Sequence, residues 1–232
     1  MKILTNNIIG ITVGIRFARS FRMRDISGSV VDNILYSKRS PFDTNFFPKV
    51  QENSVREKTL FNEDTSEYLR INTDDLIIGI KIDNDFQKKY DWLKKRVLPY
   101  FSNILFLENE IKNIRRFGII FSHKISKNNK LSDAVSLLTD NTLYNVDNIN
   151  ISFSKKSITD DGLIKQGVND YKNTIYNFSE MKDEIRADLD YQYYYEPPVE
   201  DLRECFVDKI FDDAKSFLER MYYKWLIKYE NE

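Results

Sequence analysis

The sequence is short of the groups on which most enzymes depend. Its 232 residues include one cysteine, Cys205, and one histidine, His123. A lone thiol excludes an intrachain disulfide, and one Cys with one His cannot complete a Cys/His zinc site. Any nucleophile-imidazole-carboxylate relay would have to use His123 as its only base. Glycine is also scarce, at seven residues or about 3% of the chain, against a usual share of roughly 7%. Gly10, Gly14, Gly28, Gly79, Gly118, Gly162 and Gly167 nowhere form Gly-x-Gly, and no Gly-Lys-Ser/Thr occurs. Both the dinucleotide fingerprint and the P-loop are therefore excluded, because each needs close glycines for the backbone to reach phosphates. The Gly-x-Ser-x-Gly elbow is missing too. No apolar run approaches the ~18 residues of a membrane helix. The opening Met1–Asn7 stretch is too briefly apolar for a signal peptide, so the expectation is a cytoplasmic protein without a membrane partner. No catalytic residue and no cofactor is assigned.

Neither sign of charge dominates: 35 basic and 36 acidic side chains leave a net charge of −1, which excludes a polybasic tail protein. The balance is uneven along the chain. Residues 1–60 carry 10 basic and 5 acidic groups, and residues 181–232 carry 8 and 14. Such polarity suits internal docking, head-to-tail assembly, a local anion site, or simply two solvated faces of opposite sign.

What is abundant is apolar and aromatic material, 41% and 14% of residues. Its periodicity predicts alternating elements. Residues 11–24 alternate with period two, with Val13, Ile15, Phe17, Phe21 and Met23 on one side, and read as a strand. Asp25 or Ser27 caps a short helix through Leu35, and 37–54, holding Pro41 and Pro48, reads as a loop. Strands near 55–62, 66–72 and 75–82 lead to a helix capped by Asn84 or Asp85, which Pro99 should kink or break. Residues 113–125 form a further strand. A short helix near 131–139, strands at 145–155, 170–178 and 183–195, and one long helix over 201–229 complete the reading. The fold class expected is α+β, with antiparallel sheets and long amphipathic helices. A ferredoxin-like, split βαβ order is expected for 1–128, and a second α+β half, with the outline of a duplication, for 129–232.

Three constellations carry candidate chemistry. Arg16, Arg22 and Arg24 share one face of the first strand, and Arg115, Arg116 and Lys124 lie on another. Guanidinium forks suit phosphate, so these six are candidate anion- or nucleic-acid-binding residues. Salt bridges to the acidic C-terminal helix are the alternative use. Phe42, Phe46 and Phe47 sit in a Pro-bounded loop, and Tyr193, Tyr194 and Tyr195 precede Pro197-Pro198. Large aromatics dominate interface hot spots, so these six are candidate partner contacts, or else a lid folded on the core. Asp188 and Asp190, at i and i+2 on one strand face, are the weak metal candidates, since paired carboxylates can hold Mg²⁺. A solvated strand face is the competing reading. Glu110-Ile111-Lys112 has a nuclease-like spacing but no strand-borne Asp upstream. His123, in phase with Ile119 and Phe121, reads as a packed neutral imidazole, and Cys205 as a packed thiol.

The blocks Tyr68-Leu69-Arg70-Ile71 and Leu76-Ile77-Ile78, then Tyr90-Asp91-Trp92-Leu93 and Ile114-Arg115-Arg116-Phe117-Gly118-Ile119, together with Leu189-Asp190 and the aromatic C-terminal helix, resemble a sporadically distributed, uncharacterised prokaryotic protein family of similar length. The departure is Ile119-Ile120-Phe121-Ser122, where that family has Arg-Tyr-Ile-Asn after the glycine. The resemblance carries no catalytic residues. Patchy distribution of that kind implies mobile or defence loci. Together these readings lead to the expectation of a non-catalytic intracellular subunit that binds another protein, within an antiphage defence assembly. The alternative is an RNA- or DNA-binding module of tandem ferredoxin-like design, with guide-RNA processing as its activity. A Mg²⁺-dependent phosphodiesterase on Asp188 and Asp190 is a third reading.

Overall fold

The computed structural model describes residues 8–36, 49–54, 57–62, 66–102, 110–125, 148–158, 167–181 and 184–219. Nine strands lie among the described residues: β1 (Ile8–Arg16), β2 (Lys49–Ser54), β3 (Glu57–Asn62), β4 (Glu67–Ile71), β5 (Asp75–Lys81), β6 (Ile114–Ile125), β7 (Asn148–Ile158), β8 (Tyr171–Met181) and β9 (Glu184–Val199). They form one sheet in the order β2-β3-β4-β5-β1-β6-β9-β8-β7, and every neighbouring pair is antiparallel. Three α-helices are described: α1 (Phe21–Tyr36), α2 (Phe86–Ser102) and α3 (Val207–Phe217), the last preceded by a 3₁₀ turn at Leu202–Cys205.

This single sheet corrects the expected fold. Among the described residues there is no self-contained ferredoxin-like unit and no separate second sheet. The β2-β3 hairpin extends one edge of the N-terminal strands, and β6 pairs with β1 on one side and β9 on the other. Period-two alternation identifies strands but carries no information about which strand pairs with which. The long amphipathic helices are also corrected. Over 201–229 the 3-or-4 spacing suggests one continuous helix, yet Phe206 adopts a left-handed backbone (φ 47°) between the 3₁₀ turn and α3. The described helix is therefore 11 residues, and positions beyond 219 lie outside the described residues.

Two boundaries differ for local reasons. The strand expected over 11–24 ends at Arg16, and Ser20 starts α1 by accepting a hydrogen bond from the Met23 amide at 3.3 Å. Phe21 and Met23 keep the alternating phase but belong to this helix, where Phe21 is exposed and Met23 buried. The expected loop 37–54 ends in β2, and the rest of it, like the helix near 131–139, lies outside the described residues. The helix after β5 starts as expected, with Asp85 Oδ1 accepting from the Lys88 amide at 3.1 Å, but runs through Pro99 to Ser102.

The core lies on one face of the sheet. Ile11, Val13 and Ile15 of β1, Leu76, Ile78 and Ile80 of β5, and Phe117, Ile119 and Phe121 of β6 are all buried in it, with Leu93 and Val97 of α2 and Ile210, Phe211 and Ala214 of α3 packed against them. Tyr90 stacks on Phe121 at 6.0 Å and meets Phe211 edge-on at 5.3 Å; such aromatic pairs each contribute about 0.5–1.5 kcal/mol beyond area burial. Polar ties fix α3 in place: Tyr90 Oη of α2 donates to the Phe211 carbonyl, and from the sheet Tyr191 Oη donates to Asp213 and Lys172 pairs with Asp213 at 2.5 Å. The turn before β8 is locked to β9 by buried Asp170, which accepts from the Tyr193 hydroxyl (3.0 Å) and the Glu196 amide (2.6 Å). Among the described residues no helix is long and apolar enough to cross a membrane.

Candidate functional site

The opposite face of the sheet carries the alternate residues of the same strands, and pairing arranges them in rows. One row runs Arg70, Ile77, Gly14, Gly118, Gln192, Asn173. The next runs Asp75, Arg16, Arg116, Tyr194, Tyr171, and a third runs Gly79, Thr12, Ile120, Asp190, Ile175. The core-facing alternates of these strands are mostly buried apolar residues, and this face carries the polar, charged and small side chains together with Ile77, Ile120 and Ile175.

At its centre is a cavity of about 120 Å³. Gly14 and Gly118, direct partners across β1 and β6, form its floor. Arg70, Asp75 and Ile77 stand on one side, and Asp190 and Gln192 on the other. Four of the seven glycines lie in the three central strands: Gly10 and Gly14 in β1, Gly79 in β5 and Gly118 in β6. Glycine inside a strand weakens it and marks a close approach by another group. At Gly79 that group is internal: the Tyr68 ring covers it, and a Cβ there would come within 2.2 Å of the ring. At Gly118 a Cβ would meet nothing closer than 3.7 Å, so internal packing does not require this glycine.

The polar groups around the cavity are partly committed. Gln192 donates to Asp190 Oδ2 at 2.6 Å and accepts from the Tyr194 hydroxyl at 2.9 Å. Burial raises the Asp190 carboxyl above its usual range, with Gln192 and Arg116 pulling the other way. Burial also raises the Asp75 carboxyl, opposed by Arg70. Arg70 Nε and Asp75 Oδ1 are buried 3.8 Å apart, beyond hydrogen-bond length, and neither has a hydrogen-bond partner in the protein. Such buried, unsatisfied atoms carry a desolvation cost.

Beside the cavity, four strands contribute a ladder of rings and cations. Tyr171 and Tyr194 stack at 4.6 Å with planes 7° apart. Lys156 caps the outer ring at 3.7 Å, and Arg116 lies 5.9 Å from the inner one. Cations over aromatic faces are held by the ring quadrupole.

Of the six cationic candidates, the fold brings Arg16 and Arg116 together as cross-strand partners and puts Lys124 farther along the same face, opposite Arg186. Arg22 and Arg24 leave the group because they belong to α1. Arg22 pairs with Glu110 at 3.0 Å and Arg24 with Asp25 at 3.4 Å. Arg115 is exposed beside the irregular register at the start of β6. Glu110, part of the discounted Glu-x-Lys motif, accepts from Ser20 as well and holds the start of α1. Of the three candidate tyrosines, Tyr194 faces the open surface; Tyr193 and Tyr195 are core residues bonded to Asp170 and the Cys205 carbonyl. Phe42, Phe46 and Phe47 lie outside the described residues. Asp188 and Asp190 share the open face, but no group of three or more His, Cys, Asp or Glu that could hold a metal exists among the described residues. His123 is buried and its pKa is pushed down to about 4 by desolvation. Cys205 is buried and its thiol is pushed up to about 12.

The sequence reading missed Gly14, Gly118, Arg70, Asp75, Gln192 and Tyr171. The clustering of rare glycines in β-periodic segments was the available signal; the remainder depends on strand register. No protein-family model and no curated protein matches the chain.

Proposed function

We propose that the chain is a non-catalytic binding subunit that docks another protein on its open sheet face. The observation that carries this reading is the Lys156-Tyr171-Tyr194-Arg116 ladder, built by four strands on a face that the described helices leave uncovered. Tyr and Arg are the side chains most enriched at interface hot spots, because each combines large contact area with a polar end. Stacking already fixes both rings, so docking costs little side-chain entropy. Asp188, Asp190 and Asp75 balance the cations there, which suits a protein surface of mixed charge. By the resemblance noted above, the partner belongs to a defence assembly encoded alongside this chain.

The test is co-purification with the products of adjacent genes, followed by light scattering to obtain the mass of the complex. Tyr171→Ala and Tyr194→Ala should each weaken the complex at least tenfold with the fold intact. A chain that remains monomeric with every neighbour, or a complex indifferent to both substitutions, refutes the reading.

The same ladder favours one second reading, a nucleic-acid-binding module, since successive bases stack on aromatic platforms flanked by cations. The carboxylates on the face, Asp75, Asp188 and Asp190 among them, count against it. Affinity for single-stranded RNA measured across a salt series separates the two: a slope near zero removes the cations from the contact.

A further inference from the structure

We propose that the glycine-floored cavity at the centre of the open face binds a nucleoside monophosphate, its base lying flat on Gly14 and Gly118 and its phosphate resting on Arg16 and Arg116. The inference shares Arg116 with the tyrosine ladder but does not require protein docking there, and it rests on three observations.

The first is the floor. Two glycines face each other across the central strands; at Gly118 nothing internal claims the space, while at Gly14 the Ile77 side chain lies 3.2 Å from where a Cβ would stand and forms the rim of the surface. A cavity of about 120 Å³ is far below the ~300–1,000 Å³ that encloses a drug-sized ligand. It takes one planar ring and leaves the remainder of the molecule on the surface.

The second is the cation pair. Arg16 and Arg116 are direct cross-strand partners, an arrangement in which like charges repel. Arg16 is only loosely engaged, 3.7 Å from Asp74 and 54% exposed, and Arg116 reaches Tyr194 Oη at 3.4 Å. An anion between them relieves the repulsion, and two guanidinium forks match phosphate oxygens. This pair lies one row from the glycines, next to where a base on the floor would carry its sugar phosphate.

The third is unmet polar demand around the cavity. Arg70 Nε and Asp75 Oδ1 lie 3.8 Å apart as an ion pair, with Glu57 3.9 Å from the same nitrogen, yet neither atom has a hydrogen-bond partner; one sugar hydroxyl accepts from the first and donates to the second. On the other wall, the Asp190 carboxylate lies beside Gly118, with its Oδ1 3.8 Å from where a Cβ would stand. A carboxylate there accepts from the exocyclic amine of adenine, guanine or cytosine and finds no such amine on uracil. Burial raises its proton affinity, opposed by the hydrogen bond that Gln192 donates to the other oxygen.

The experiment is calorimetric titration of the purified full chain with AMP, GMP, CMP and UMP. Inorganic phosphate, the free nucleosides and oligonucleotides of two, four and eight residues are the comparison arms. At least one amine-bearing monophosphate should bind ten times or more as tightly as phosphate or its nucleoside, with UMP the weakest of the four. Gly118→Val, which projects methyl groups into the cavity from a position with room for its Cβ, should abolish binding without lowering the thermal midpoint by more than a few degrees. Arg116→Gln should weaken the nucleotide at least tenfold and leave the nucleoside unchanged. Absence of monophosphate binding by the folded wild type overturns the proposal. So does binding unaltered by both Gly118→Val and Arg116→Gln, phosphate binding as tightly as nucleotide, or affinity that climbs with oligonucleotide length.

Discussion

His123 is the only imidazole in the chain, so lowering the pH probes one side chain of this class and no other. It lies on the core face of β6, opposite Ala187 of β9, and is 1% exposed. Desolvation brings its pKa from 6.5 to about 4, while hydrogen bonds with the Ala187 and Phe121 backbone act in the opposite direction. The unfolded chain therefore takes up a proton as the pH falls through 6.5, and the folded chain does not until about 4. Stability must fall as the pH falls across that window, with a slope of up to 1.36 kcal/mol per pH unit. From pH 7.5 to 4.5 the loss comes to about 2–3 kcal/mol. Asp75 and Asp190 act with the opposite sign. Their raised folded-state pKa values mean that the folded chain is protonated first, and this adds stability as the pH falls. The informative quantity is therefore the difference between wild type and His123→Gln, in which the carboxylates cancel. Urea unfolding at half-unit pH steps should show the wild type losing about 2–3 kcal/mol more than the variant over that range. Parallel curves, agreeing within ~0.5 kcal/mol, would refute the assignment of a buried neutral imidazole.

Gly79→Ala should destabilise by about 2–4 kcal/mol, because the new methyl displaces the Tyr68 ring and breaks its 3.0 Å hydrogen bond to Thr12. Adding Tyr68→Ala should remove most of the extra cost, and strict additivity in the double-mutant cycle would show that the ring is not the obstacle. Asp213→Ala strands Lys172 and the Tyr191 hydroxyl, with Asp213 and Lys172 only 18% and 14% exposed; a loss of about 2–4 kcal/mol by denaturant unfolding is expected. Cys205, buried and with its thiol pushed up to about 12, should react with a disulfide reagent at pH 8 only as fast as the chain opens globally. Rapid labelling of the folded protein would contradict that burial.

The sequence revealed strands more readily than sheet. Leu76, Ile78 and Ile80 alternate over a short span bounded by Asp and Asn, so β5 was legible almost to the residue, and β6 likewise through Phe117, Ile119 and Phe121. The junction at Ser20 was not, because Phe21 and Met23 satisfy both a period of two and the first turn of a helix. Phe206 misled in a similar way, keeping the helical spacing while its backbone turns left-handed. The site was less legible still. Arg16 and Arg116 were singled out for their chemistry, but their adjacency depends on β6 pairing directly with β1. Among Tyr193, Tyr194 and Tyr195, alternation alone separates one surface ring from two core rings, and its phase is set by the buried Asp170 contact.

The position of β6 also governs how the protein can be made. β1 begins at Ile8, yet one of its two neighbours is complete only at Ile125, and the strand on the far side of that neighbour ends at Val199. A chain emerging from the ribosome must carry one edge of β1 unpaired until β6 has been made, and the far edge of β6 unpaired until β9 follows. Long-range pairing of this kind folds slowly and leaves open strand edges exposed to other nascent chains, so the cell should depend on chaperones to bring newly made copies to completion.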